Sequence, residues 1–367
     1  MALGTTAALL LGGLGAAPAV VRAAALASFT TGEDERLWTP PGRDGFRLAL
    51  HRYRPAPGAP RRRAPVLLVP GLGATRFTWD LGVPRLGLAR HLARAGFDTF
   101  ALELRGHGLS EGISASEGRR GGWDLDAHLH DDVPSAIATV LARTRADGLH
   151  WLGHSLGGVI GLAYLASRPD APVRSVTAVG SSLDYAGSGS DFERVLFLRA
   201  LAPVLPRLPF GWAAATAPIA GVPLPGGRWS PLDLFHVWPP NIERRIYRRV
   251  VAVMWASVEI PVLEQLASAV TGGGLRSADG RTSYFDDLGR VRTPALLVCA
   301  DRDRQCPPAA AQRTFEALGS ADRALVRLGR AHGTQDHYGH MDMIVGRRAP
   351  EESWPPLLRF LERVDAG

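Results

Sequence analysis

The chain has 367 residues, 46% of them hydrophobic, with a formal net charge of +7; that is enough apolar content for one large domain with an insertion or for two ordinary domains. All 42 basic residues are arginine and they are dispersed, with Arg61-Arg62-Arg63 the only triple run. A nucleic-acid footprint would cluster them on one face, and the absence of lysine excludes Schiff-base and Ser-Lys chemistry. Two cysteines, Cys299 and Cys306, exclude a disulfide framework, and no Cys/His cluster has zinc spacing.

Residues 1–34 read as an apolar N-terminal segment. Ala2 to Val21 is apolar and rich in small residues, broken only by Thr5, Thr6, Pro18 and four glycines, and is followed by Arg22, yet no basic residue precedes it. Its length suits a membrane span or the core of a signal peptide, and a helix packed on the protein body is the alternative. The expected location divides accordingly: membrane-associated or exported in the first case, cytoplasmic in the second.

From Glu35 to Pro55 the pattern predicts a β-hairpin, because Phe46, Leu48 and Leu50 alternate with Arg47, Ala49 and His51 around turn residues Gly42 to Gly45. Pro65 to Val69 is a continuous apolar run, as a strand buried on both faces requires. Arg85 to Gly96 reads as an amphipathic helix and Phe97 to Leu102 as the next strand. Trp123 to Arg143 reads as a helix with Leu125, Leu129, Val133 and Ile137 at helical spacing. His128 and His130 on it have surface or packing roles rather than metal-binding ones.

Leu149 to Leu152 is a short apolar run that leads into Gly153-His154-Ser155-Leu156-Gly157, and Leu156 to Ser167 reads as a buried helix. G-x-S-x-G between strand and helix is a nucleophile elbow, a sharp turn that lifts one side chain above the sheet. Gly153, Gly157 and Gly158 give clearance where strand and helix converge.

Val173 to Gly180 is another strand, after which the periodicity changes. Asp184 to Arg290 carries prolines, tryptophans and short helical runs such as Arg244 to Val270, without strand-helix alternation. A stretch that long is no simple loop, and it reads as a helical cap inserted above the carboxyl ends of the strands, where ligands bind in open α/β sheets. Phe197, Leu201 and Trp212 are candidate substrate-binding residues in it; packing within the cap's own core is the alternative for the same side chains. Alternation resumes with a strand Ala295 to Cys299, a helix Pro308 to Leu318, a strand Ala324 to Leu328 and a helix Glu351 to Val364. The predicted fold class is α/β, a mostly parallel central sheet with helices on both faces. Residues 35–183 and 291–367 form the two parts of the core, and 184–290 form the cap.

The elbow, Pro70-Gly71-Leu72-Gly73, Arg105-Gly106-His107-Gly108-Leu109-Ser110 and Tyr338-Gly339-His340-Met341-Asp342 together resemble the serine α/β-hydrolases, most closely the lipase and esterase branch that includes the acid lipases. The resemblance runs from about Glu35 to the C-terminus, apart from a poorly matching middle. It implies a triad in chain order serine, acid, histidine. A serine hydroxyl needs an imidazole to take its proton, and the imidazole needs a carboxylate to fix its tautomer. Ser155 is then the nucleophile. Asp301 and Asp303 both fall where the acid is expected, and the family spacing selects Asp303. Among His332, His337 and His340, the resembling lipases match His340, with His332 the alternative. The implied oxyanion donors are the backbone N–H groups of Leu72 and Leu156, with Gly73 the alternative to Leu72. His107 precedes the nucleophile and reads as a structural loop histidine.

The expected activity is hydrolysis of carboxylic esters, either hydrophobic acyl esters or acylglycerols, with no metal and no cofactor. The expected partner is a small-molecule ester or lipid, with no nucleic acid, and residues 1–21 are the candidate membrane contact. Thioesterase, amidase, perhydrolase and acyltransferase activities use the same triad and stay open, as does a catalytically idle, membrane-tethered binding protein.

Overall fold

The computed structural model describes residues 31–110, 121–201, 207–208 and 229–367. The apolar stretch 1–21 and Trp212 lie outside the described residues. In chain order the elements are β1 (Glu35–Trp38), β2 (Ala49–Tyr53), β3 (Val66–Val69), α1 (Leu88–Arg94), β4 (Thr99–Glu103), α2 (Val133–Thr144), β5 (Leu149–His154), α3 (Leu156–Ser167) and β6 (Val173–Val179). Next come α4 (Phe192–Leu196), β7 (Arg207–Leu208), α5 (Pro231–His236), α6 (Arg244–Val253), β8 (Val258–Glu259) and α7 (Ile260–Thr271). The chain closes with β9 (Ala295–Ala300), α8 (Pro308–Ala317), β10 (Arg323–Leu328), α9 (Asp342–Val345) and α10 (Trp354–Ala366).

Eight strands form one sheet in the order β1-β2-β4-β3-β5-β6-β9-β10. The β1–β2 and β2–β4 pairs are antiparallel and all the others parallel. The protein therefore has the mostly parallel α/β sheet that the sequence predicts, and Glu35 pairs with Arg52 in the expected hairpin.

Two-fold alternation along buried strands sends neighbouring side chains into two separate cores. Leu67, Val69, Phe100, Leu102, Trp151 and Leu297 pack with α2 and α3 on one face. Val66, Leu68, Ala101, Leu152, Leu296 and Val298 pack with α1, α6 and α10 on the other. Uninterrupted apolar runs in β3 and β9 are the direct consequence of burial on both faces.

Three local departures from the sequence reading have physical reasons. Helix α1 begins at Leu88 rather than Arg85, because Gly87 holds φ −119° and ψ 87° and Leu86 N–H is already committed to Val83 O at 2.8 Å in a turn. Helix α10 begins at Trp354, after a π-helical turn at Ala349–Ser353. The helical run expected from Arg244 to Val270 is broken after Val253, where the chain extends, pairs Trp255 with Ala74 and forms β8 against β7. Its backbone groups find partners outside the helix: Thr75 N–H donates to Met254 O at 2.9 Å, and Ala256 N–H to Gly73 O at 2.5 Å. Every strand of the eight-stranded sheet lies outside residues 184–290. Among the described residues, no helix is long and apolar enough to cross a membrane.

Candidate active site

Ser155 stands between β5 and α3 with φ 53° and ψ −121°, a left-handed conformation that costs a non-glycine residue of order 1–3 kcal/mol and persists only where its surroundings hold it. They do so here. Ser155 N–H donates to Val179 O at 2.8 Å, its carbonyl accepts from Gly158 and Val159, and Ser181 Oγ donates to the same carbonyl at 2.8 Å. The turn is tight enough that a Cβ on Gly153 would lie 2.2 Å from the Gly157 carbonyl carbon, and one on Gly157 would lie 2.0 Å from Val69 O. Both contacts are with backbone, so glycine is a steric requirement at each position.

Asp303 follows β9 and His340 precedes α9. His340 Nδ1 and Asp303 Oδ2 are 2.8 Å apart, and the two residues are 2% and 4% exposed, so water does not compete for this bond. Asp303 Oδ1 accepts from the Gln305 and Cys306 N–H groups at 2.8 and 2.9 Å, which fixes the plane of the carboxylate. An ionised carboxylate only accepts, so Nδ1 carries the proton and Nε2 is left as the basic atom. Nε2 is buried and has no hydrogen-bond partner among the described residues. Ser155 and His340 line one cavity.

The competing candidates are placed elsewhere. Asp301 pairs with His337 Nδ1 and accepts the Tyr338 N–H at 3.3 Å, in a partly exposed pair. His332 is exposed in a 3-10 turn. His107 is buried, with Nδ1 against Arg105 O at 2.7 Å, and burial pulls its pKa down to about 4.

Leu72 and Leu156 both line the cavity. No protein acceptor for either backbone N–H is found among the described residues. The loop carrying Leu72 is gripped from the 184–290 segment by the Gly73–Ala256 and Thr75–Met254 hydrogen bonds. A Cβ on Gly73, whose φ is +61°, would meet Val258 at 2.9 Å.

The cavity has a volume of about 330 Å³, within the usual range for small-molecule sites. Leu72, Val159, Phe192, Leu198, Val258 and Leu266 give it a largely hydrocarbon wall. Phe197 does not join them: its side chain is 67% exposed, while Val195 and Leu198 on either side of it line the cavity. The substrate-binding expectation for Phe197 is thus corrected, because the 3-10 turn Phe197–Leu201 that follows α4 leaves its side chain in solvent. Leu201 ends a 3-10 turn at the start of a span outside the described residues. Asp233, the one carboxylate in the wall among the described residues, is already occupied by the Tyr247 hydroxyl at 2.8 Å and by Ser230 N–H and Oγ at 2.7 and 2.8 Å.

Several residues that matter here carry no sequence signal beyond their position. His154 donates Nε2–H to His340 O at 3.1 Å, and its ring lies 4.7 Å from that of His340; burial, with the neighbouring His340, drives its pKa down to about 3. Asp342 accepts from Gly339 N–H at 2.9 Å and Trp238 N–H at 3.1 Å, joining the histidine loop to the 184–290 segment. Burial raises its pKa to about 7 against those two hydrogen bonds, and the Asp303 charge pushes the same way. Among the described residues, no group of three or more His, Cys, Asp and Glu side chains is placed to hold a metal ion.

A family model described as serine aminopeptidase, S33 matches residues 62–334. The chain is 29% identical over 358 residues to lipase lipl-3 of Caenorhabditis elegans, covering 86% of this chain and 85% of that protein. It is 22% identical over 352 residues to lipase member K of Mus musculus, covering 87% and 85%. The match to lipase member K of Homo sapiens is shorter, 29% identical over 134 residues, and spans about a third of that protein, 34% against 35% of this chain. Among solved structures, a soluble variant of monoglyceride lipase from Saccharomyces cerevisiae superposes with a TM-score of 0.61 at 16% identity, covering 91% of this chain and 96% of that one. The monoacylglycerol lipase of Paleococcus ferrophilus gives 0.54 at 19% identity, covering 86% and 99%. At these identities the structural likeness speaks for the fold.

Proposed function

The chain belongs to the serine aminopeptidase S33 family of α/β-hydrolases, in its lipase- and esterase-like branch, and from that membership we propose that it hydrolyses hydrophobic carboxylic esters, acylglycerols among them, through Ser155, His340 and Asp303. The observation that carries the reading is the His340–Asp303 bond of 2.8 Å, which leaves an unpartnered Nε2 in the wall of a cavity shared with a serine held at φ 53°.

In this mechanism the ester carbonyl sits between Ser155 and the N–H groups of Leu72 and Leu156. His340 Nε2 takes the Ser155 proton as Oγ attacks, and the imidazolium that forms is stabilised by Asp303. The tetrahedral oxyanion rests on the two amides, each such donor typically lowering the barrier by ~3 kcal/mol. His340 then protonates the leaving alcohol, and water repeats the sequence to release the acid. Residues 184–290 act as a cap whose apolar side chains receive the acyl chain.

The family's name raises aminopeptidase action as a second reading. A site that reads a peptide N-terminus needs an unoccupied acceptor for the ammonium group. Asp233, the carboxylate in the described wall, has both oxygens engaged, and this favours esters. Turnover of p-nitrophenyl esters of graded acyl length, against aminoacyl-nitroanilides, tests the choice. Ester turnover that vanishes in Ser155→Ala is the expected result; turnover of the anilides alone would reject the ester reading.

A further inference from the structure

One polar side chain in the cavity wall is left without a task by the mechanism above. His236 ends α5 and lines the cavity near His340. Its backbone carbonyl accepts the Met341 N–H at 2.8 Å, directly after the proposed base. Its ring lies 4.7 Å from that of Trp255, which pairs with Ala74 of the oxyanion loop. The imidazole is thereby held between the histidine loop and the oxyanion loop.

Its tautomer is fixed by a neighbour. Gln305 Nε2 lies 3.2 Å from Phe235 O and 3.0 Å from His236 Nδ1. A backbone carbonyl only accepts, so the amide must turn its NH2 group toward both atoms, and Nδ1 must be the unprotonated, accepting nitrogen. A neutral ring then carries its proton on Nε2. Burial keeps the ring neutral, with a pKa lowered to about 3. Nε2 has no partner among the described residues. Gln305 is itself anchored, since its N–H donates to Asp303.

The leaving alcohol must lie beside His340, which hands it a proton. A fixed N–H donor beside His340, in a largely hydrocarbon wall, calls for an oxygen on the alcohol rather than on the acyl chain. Resting on the ester-hydrolase reading above, we propose that His236 is a specificity-determining residue whose Nε2–H binds a free hydroxyl of the ester's alcohol part, so that esters of polyols are selected over esters of simple alcohols. A donor that a bound substrate covers without offering an acceptor is costly, and a site built to bind a hydroxyl discriminates against the analogue that lacks it.

The probe pair is a 1-monoacylglycerol and the propyl ester of the same acid, which share a carbon skeleton and differ only in hydroxyls. The expected result is that the wild-type chain favours the monoacylglycerol in kcat/KM by about tenfold, the effect of one such hydrogen bond. In His236→Phe, which keeps the ring contact with Trp255 but has no N–H, that preference should disappear, mainly through KM for the monoacylglycerol. His236→Gln, which keeps a donor, should restore part of it. No wild-type preference, or an equal fall for both substrates in His236→Phe, overturns the assignment. The absence of a wild-type preference overturns the assignment even where His236→Phe does not fold, and His236→Gln then carries the test of the residue itself. Failure of the ester-hydrolase reading is recognised separately, as wild-type chain that cleaves neither ester.

Discussion

Replacing Asp303 by asparagine changes one donor-acceptor relation and little else. The side chain keeps its shape, and its oxygen can still accept the Gln305 and Cys306 N–H groups at 2.8 and 2.9 Å. The other terminal atom, 2.8 Å from His340 Nδ1, becomes an NH2 donor, so Nδ1 must turn acceptor and the imidazole proton moves to Nε2. In that tautomer His340 has no lone pair for the Ser155 proton. Losses of about 10⁴ in kcat accompany this change in serine hydrolases of known mechanism, equivalent to about 5 kcal/mol of barrier. Asp301→Asn is the matched control, since the Asp301–His337 pair is partly exposed and a pair of that kind contributes at most about 1 kcal/mol to stability. The assay is kcat on a p-nitrophenyl ester for both variants, with thermal unfolding to verify folding. A folded Asp303→Asn retaining more than a tenth of wild-type kcat, or a large loss in Asp301→Asn instead, refutes the assignment of the acid.

Gly153→Ala should destabilise the fold by about 2–3 kcal/mol, because the new Cβ would meet the Gly157 backbone at 2.2 Å; an unchanged denaturation midpoint would contradict the packing of the elbow. Acid should weaken the fold through His154 and His107, whose pKa values are depressed by burial from 6.5 to about 3 and about 4. Their contribution is complete above pH 6.5 and is lost as pH falls toward those values, because the unfolded chain takes up the protons first, at roughly 3 to 5 kcal/mol each. Urea midpoints that stay flat between pH 7 and pH 4 in wild type, and do not become less acid-sensitive in His154→Gln, would count against it. Asp342 has the opposite sign: its pKa is raised from 3.8 to about 7, so the native state holds the proton longer and stability declines as pH rises across that interval. The stability of Asp342→Asn relative to wild type should therefore grow between pH 4 and pH 8, by up to about 4 kcal/mol; a pH-independent difference would show that Asp342 is ionised throughout.

The sheet was legible wherever burial on both faces forced unbroken apolar runs, as in Val66–Val69 and Ala295–Ala300, and α3 was legible because the elbow fixes its first residue. The pairing of His340 with Asp303 rather than Asp301 was legible through the spacing carried by the family resemblance. Contacts between distant segments were not. Nothing in Met254-Trp255-Ala256 announces that its backbone will hydrogen-bond to Gly73 and Thr75, since main-chain partners are chosen by tertiary placement and any residue offers the same groups. Phe197 shows the same limit from the apolar side, because one turn of a short helix decides whether a phenylalanine faces the cavity or, as here, solvent. His236 and Gln305 look like ordinary polar residues until the fold brings them within 3.0 Å.

Hydrolysis by this route requires a single activated hydroxyl, and covalent labelling of the intact chain by a fluorophosphonate probe, followed by peptide mapping, reads that hydroxyl directly. The adduct is predicted on the peptide containing Ser155, absent in Ser155→Ala and strongly slowed in His340→Ala. No adduct on folded wild-type chain, or one that persists in Ser155→Ala, would contradict it.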